Sequence, residues 1–199
     1  MAATKAVDPV TGLPSPASFF LALELAASEA QRSGTPLSVL VVDIDRFDEL
    51  REKAGLEMAD AALLRTSKLL RLALGRDGVL ARLTGDQFGV MLVGETIVQA
   101  QQRGEAVRLA IELQLGAGQR RLTVSVGVAS GAAGIAWSGD ELIVLAGRRR
   151  DAAKLAGRNR VWAWGHPGIA MDQRAAWPEG IREMQAAPRA SPFEQLSLF

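Results

Sequence analysis

The 199-residue chain has no cysteine and no tyrosine, and its single histidine, His166, stands near the C-terminal end. Thiol nucleophiles, disulfides, Cys/His zinc sites and Ser-His-Asp triads therefore drop out. What remains for chemistry is carboxylates, hydroxyls, lysine, arginine and backbone groups, a set that suits a hard, oxygen-liganded cation such as Mg²⁺. An excess of one charge is lacking as well. With 23 basic and 22 acidic residues the formal net charge is +1, so no global field draws the protein to nucleic acid or to an anionic membrane. Lysine is scarce, occurring only at Lys5, Lys53, Lys68 and Lys154, and nearly every positive charge is a guanidinium that stays protonated at working pH. No apolar run approaches the roughly 18 residues of a membrane span, and the first ten residues lack the apolar middle of a signal peptide. A soluble, cytoplasmic protein without a membrane partner is expected.

Turn and cap signals divide the chain. Asp8-Pro-Val-Thr-Gly-Leu-Pro14 is a turn, and Ser15-Pro16 supplies an N-cap followed by proline at the first helical position. A helix over 16–33 follows, ended by Gly34 and Pro36. Leu37 to Ile44 is a continuous, β-branched apolar run, the mark of a strand buried on both faces. A polar stretch to Gly55 leads to a helix over 57–74. Strands at 79–83 and 88–93 flank the turn Thr84-Gly-Asp-Gln87 and read as a hairpin. A helix over 95–115, loosened at Gly104, a strand over 122–128, a helix over 139–156 and a strand over 160–164 complete the pattern. The order α β α β β α β α β predicts an α+β (α/β) fold, a mixed central sheet flanked by helices, as one domain over 1–164. From Gly165 periodicity disappears and prolines recur, so 165–199 reads as a flexible tail with at most a short helical piece at 179–185.

Two features carry chemistry. The buried strand delivers Asp43 and Asp45 at its C-terminal end, and the hairpin tip carries Asp86. If the two strands are neighbours, Asp43 and Asp86 are placed to hold Mg²⁺ on a nucleotide's phosphates. Carboxylates at strand ends are commonly just solvated, so spacing alone leaves both readings open.

Five segments, Asp8-Pro-Val-Thr-Gly-Leu-Pro, Asp43-Ile-Asp-Arg-Phe, Arg82-Leu-Thr-Gly-Asp-Gln-Phe88, Val124-Ser-Val-Gly-Val-Ala129 and Ala153-Lys-Leu-Ala-Gly-Arg-Asn-Arg-Val161, resemble in order and spacing the sequence blocks of the GGDEF family of diguanylate cyclases. The resemblance spans residues 6–164. It implies a fold like that of nucleotidyl cyclases and polymerase palms. It also implies two domains meeting head to head as a homodimer, each with one GTP and Mg²⁺ or Mn²⁺, to make cyclic di-GMP. Residue by residue, it assigns Asp43 and the carbonyl of Ile44 as metal ligands. Asp86 becomes a metal ligand that also helps activate the attacking 3′-hydroxyl. Gly85 becomes the glycine that lets the backbone approach the nucleotide, Asp60 the acid that reads the guanine edge, and Lys154 and Arg158 the cations on the phosphates.

Departures from the pattern bear on activity. The signature reads Thr84-Gly-Asp-Gln-Phe88, so its first glycine is a threonine and its fourth position carries no charge. Glutamine hydrogen-bonds but cannot take a proton. Where the family has a lysine for the terminal phosphate this chain has Asp48, which reverses the local electrostatics. Where the family has an asparagine for guanine it has Arg51, which offers only donors, and the usual histidine after Gly55 is Leu56. The family's inhibitory product-binding pair falls on Gly75 and Gly78. These changes point to a degenerate member with impaired turnover; an active cyclase is the alternative.

The clusters Arg120-Arg121 and Arg148-Arg149-Arg150 read as solvated faces rather than a nucleic-acid patch, because three successive arginines on a helix point in different directions. Trp162 and Trp164 alternate on the last strand and would pack under the tail. The chain ends in Gln195, Leu196, Ser197, Leu198 and Phe199, a pentapeptide similar to the one by which bacterial polymerases and repair proteins dock on the DNA sliding clamp. Apolar anchors at the tip of a polar, proline-punctuated segment suit such docking. Folding back onto its own domain or its dimer mate is the other reading.

Overall fold

Alternating apolar runs and amphipathic stretches build a five-stranded sheet with helices on both faces. The computed structural model describes residues 7–75, 78–116, 121–131 and 137–163; the C-terminal segment and its terminal peptide, with Trp164 and Arg120, lie outside them. In chain order the elements are α1 (Pro16–Ser33), β1 (Leu37–Ile44), α2 (Phe47–Leu74), β2 (Gly78–Thr84), β3 (Gln87–Val93), α3 (Ile97–Leu115), β4 (Val124–Gly131), α4 (Gly139–Leu155) and β5 (Arg160–Ala163). The α+β class and the element order agree with the sequence-based expectation.

β1 is the middle strand of the order β2-β3-β1-β4-β5. It pairs antiparallel with β3 and β4, β2 pairs antiparallel with β3, and β4 pairs parallel with β5, so the sheet is mixed. Every residue of β1 is buried, as a β-branched run covered on both faces requires. Its side chains alternate between two cores. Leu40, Val42 and Ile44 meet Leu63, Leu70, Val107 and Ile111 from α2 and α3, while Val39 and Val41 meet Phe19, Leu23, Leu142 and Ala146 from α1 and α4. Asp43 continues the second series, and the period of two therefore delivers its carboxylate to the α4 side of the sheet.

Local chemistry fixes the helix ends. Ser15 accepts the Ser18 N–H with Pro16 at the first helical position, and Gly34 closes α1 at φ 71°. Thr96 with Gln99 and Ser138 with Glu141 form capping boxes at the starts of α3 and α4, which is why α3 begins at Ile97 and not at residue 95.

Three expectations are corrected. The polar stretch before Gly55 is helical: α2 starts at Phe47, and Gly55, at φ 82° and ψ 173°, joins two helical segments across a kink. Phe47 anchors the first segment in the core, and Asp48 and Glu49 in its first turn complement the helix dipole. Gly104 does not loosen α3. It is buried in a continuous helix, where an added Cβ would lie 3.1 Å from Val161 Cγ1, so it sets the close approach of α3 to β5. Gly127 does the same for α4 on β4: a Cβ there would lie 1.9 Å from the Ala146 carbonyl oxygen and 2.2 Å from the Arg150 nitrogen. The third correction concerns Arg149 and Arg150, which are not a solvated face. Arg149 is largely buried, donates to the Val128 carbonyl at 2.6 Å and is pushed down by burial to about 10, and Arg150 turns inward to Asp43.

Candidate functional site

Asp43 stands one residue before the end of β1, opposite Gln87 on β3 and Ser125 on β4. Its carboxylate is fully buried, and a buried charge requires compensation. Two cations from α4 supply it. Arg150 Nη1 donates to Oδ2 at 2.7 Å. Lys154 Nζ lies 2.7 Å from Oδ1 but off the hydrogen-bonding direction, so Oδ1 has an ion contact and no aligned hydrogen bond. Arg150 and Lys154 are four apart on one helix, hence on the same face. That spacing was the available signal for Arg150.

Asp86 occupies the tip of the β2–β3 hairpin beside Gly85, whose φ of 49° is left-handed and suits glycine. The Ile44 N–H donates to the Asp86 carbonyl at 3.3 Å, which ties the tip to the end of β1. Burial, then the charge of Asp43, push the Asp86 carboxyl up to about 6, with Lys154 pulling the other way. The structure thus brings Asp43, Ile44, Gly85, Asp86 and Lys154 to one end of the sheet.

A second arginine that sequence reading passed over holds the tip in shape. Arg82 donates from Nε and Nη2 to the Gly85 carbonyl at 2.9 and 2.6 Å, and from Nη1 to Asp8 Oδ2 at 3.0 Å. Asp8 in turn accepts from the Thr11 N–H and hydroxyl at 2.8 and 2.7 Å. The N-terminal turn is therefore a brace for the hairpin.

Asp45 does not join the site. It accepts from Thr123 Oγ1 at 2.7 Å, Ser125 Oγ at 2.6 Å and the Asn159 N–H at 3.0 Å, and these bonds make it an internal fastening. Asp60 is exposed on α2 and makes no hydrogen bond or ion pair among the described residues. Arg158 is exposed just beyond α4 at φ 63°, its N–H bonded to the Ala153 carbonyl. Asp48 and Arg51 form an exposed ion pair at 2.8 Å on the first segment of α2.

Among the described residues no group of three or more acidic, imidazole or thiol side chains is placed to hold a metal. Two carboxylates at the sheet end, with Asp43 Oδ1 lacking an aligned hydrogen bond, are still the donor type that Mg²⁺ or Mn²⁺ takes when water and phosphate oxygens complete its shell. Asp43 Oδ1 and Asp86 are the residues that would hold such an ion, and Lys154, on a flexible stem, is free to turn toward phosphate. A bound dication supplies charge neutralisation at a phosphoryl group.

The family model "Diguanylate cyclase, GGDEF domain" matches residues 5–160. Over 159 residues the chain is 28% identical to the "Probable diguanylate cyclase DgcT" of Escherichia coli (strain K12), covering 77% of this chain and 34% of that protein. Over 145 residues it is 30% identical to "Diguanylate cyclase DosC" of the same strain, covering 69% and 30%. The chain spans about a third of the length of these relatives. Among solved structures, the GGDEF domain of DgcB from Caulobacter crescentus in complex with c-di-GMP superposes with a TM-score of 0.74 at 24% identity, covering 81% of this chain and 97% of that one. The GGDEF domain of FimX from Pseudomonas aeruginosa gives 0.73 at 25%, covering 79% and 99%. The superpositions carry the fold, the family match runs through the braced hairpin and the Asp43 strand end alike, and the chain belongs to the GGDEF-domain family of diguanylate cyclases.

Proposed function

We propose that the protein is a catalytically impaired GGDEF domain that binds GTP or cyclic di-GMP as a regulatory module. The observation that carries this reading is the Asp48–Arg51 pair. The two residues stand where the family has its terminal-phosphate lysine and its guanine-reading asparagine, and at 2.8 Å they satisfy each other. A triphosphate approaching there meets an anion, and a guanine edge meets a donor-only guanidinium. Asp60, Lys154 and Arg158 remain as nucleotide contacts, and Asp43, Ile44 and Asp86 as the metal end.

One observation favours the active reading. A carboxyl raised to about 6, as Asp86 is, suits a group that takes a proton near neutral pH. In that reaction the 3′-oxygen of each GTP attacks the α-phosphorus of the other, across two domains meeting head to head. Asp86 accepts the hydroxyl proton, and two pyrophosphates leave.

The two readings separate on incubation of the full chain with GTP and Mg²⁺ or Mn²⁺, followed by chromatography for cyclic di-GMP, with Asp86→Ala as control. GTP-dependent thermal stabilisation without product supports the impaired module. Product that disappears in Asp86→Ala overturns it. The resemblance of Gln195, Leu196, Ser197, Leu198 and Phe199 to clamp-docking peptides supports attachment of this module to the DNA sliding clamp. Loss of clamp binding on deletion of these five residues is the corresponding test.

A further inference from the structure

We propose that Arg150 is a fixed internal cation that occupies Asp43 Oδ2 and weakens divalent-metal binding at the Asp43–Asp86 end of the sheet. The inference deepens the impaired reading of the site and rests on it. Its test uses metal without nucleotide, so either can fail alone.

The placement begins with Gly127. Because β4 presents no Cβ there, the α4 backbone from Ala146 to Arg150 lies directly on the strand next to β1. Arg150 is thereby carried within reach of Asp43 across one strand. Its side chain is only 13% exposed; Nη1 bonds to Asp43 Oδ2, and Nε lies 2.7 Å from Asp151 Oδ1 as an ion contact without an aligned hydrogen bond. Lys154 is more exposed, at 32%, and its contact with Asp43 is the unaligned one to Oδ1, so it can leave when phosphate or metal arrives.

A guanidinium cannot deprotonate to make room for a dication. Its charge stays beside any metal on Asp43 Oδ1, and at these distances in a largely buried site solvent screens the repulsion only weakly. It also withdraws one of the two carboxylate oxygens from coordination. Formally, Asp43, Asp86 and Asp151 face Arg150 and Lys154 and leave a single negative charge for a dication. Removing Arg150 doubles it.

The test is titration with Mn²⁺, read by the paramagnetic resonance signal of free Mn²⁺, on the full chain and on Arg150→Gln, which keeps a hydrogen-bond donor for Oδ2 without the charge. Arg150→Gln is expected to bind Mn²⁺ at least about tenfold more tightly than the parent, and Asp43→Asn added to it is expected to cancel the gain. Arg150→Lys, with its charge retained, stays close to the parent and serves as the second variant should Arg150→Gln not fold. Folded Arg150→Gln with parental or weaker affinity overturns the proposal. So does an Arg150→Lys protein whose affinity rises tenfold with its charge intact.

Discussion

Asp45 accepts the main-chain N–H of Asn159 at 3.0 Å and so fastens the end of β1 to the loop between α4 and β5. Thr123 and Ser125 donate to the same carboxylate, and Asn159 itself bonds onward to Arg108 and Glu112 of α3. Asp45→Ala leaves three donors without their acceptor in a buried place. Urea denaturation should show a loss of about 2–4 kcal/mol with an unchanged slope.

The Asp8–Arg82 brace makes the hairpin depend on the N-terminal turn. Arg82→Ala is expected to cost about 1–3 kcal/mol, as for a partly buried ion pair that loses one member, and to speed amide exchange at Gly85 and Asp86. Burial pushes the Asp8 carboxyl up, but the Thr11 donors and Arg82 outweigh it and hold it below its usual 3.8. A carboxyl lowered by folding stabilises above its unfolded value and stops doing so as the pH falls through the folded one. The gap between parent and Arg82→Ala, measured by denaturation, should therefore narrow below pH 3.8, leaving the part that comes from the Arg82 hydrogen bonds to the Gly85 carbonyl.

Asp86 has the opposite sign. Raised to about 6 from 3.8, it favours the protonated form in the folded state. Its ionisation costs stability above pH 6, and that cost is relieved as the pH falls from 6 toward 3.8. Asp86→Asn should raise the stability of the metal-free protein at pH 7 by about 1–2 kcal/mol, after allowance for partial exposure. The gain should vanish near pH 4, a comparison that thermal melts across this range will check.

Exchange of the exposed pair tests the nucleotide end. Asp48→Lys with Arg51→Asn removes an anion from the path of a triphosphate and restores an amide at the base position. The double variant should raise the GTP-dependent shift in melting temperature over the parent, at a basal cost of about 1 kcal/mol because a lysine in the first turn of α2 opposes the helix dipole that Asp48 complements.

Most of the fold was legible because β1 is an unbroken buried run, the helix ends carry explicit caps, and the hairpin has its glycine. The first segment of α2 was hidden because its stability comes from Phe47 packing into the core and not from a visible apolar stripe. In the site, Asp43 and Asp86 could be read as a pair from strand end and turn. For Arg150 the four-residue spacing from Lys154 was a faint signal, because three consecutive arginines look solvated until Gly127 brings one helix face down onto the sheet. The fastening role of Asp45 was hidden because its partners Thr123, Ser125 and Asn159 are far away in sequence and meet it only in the fold.

Gly127 has a consequence for motion. A helix seated on bare backbone has no clearance to slide or rock without colliding with the strand, so α4 moves with the sheet and cannot serve as a lid. The parts of this end of the sheet with room to move are the partly exposed Lys154 side chain and the hairpin tip, whose side-chain and loop motions run on roughly picosecond to microsecond scales.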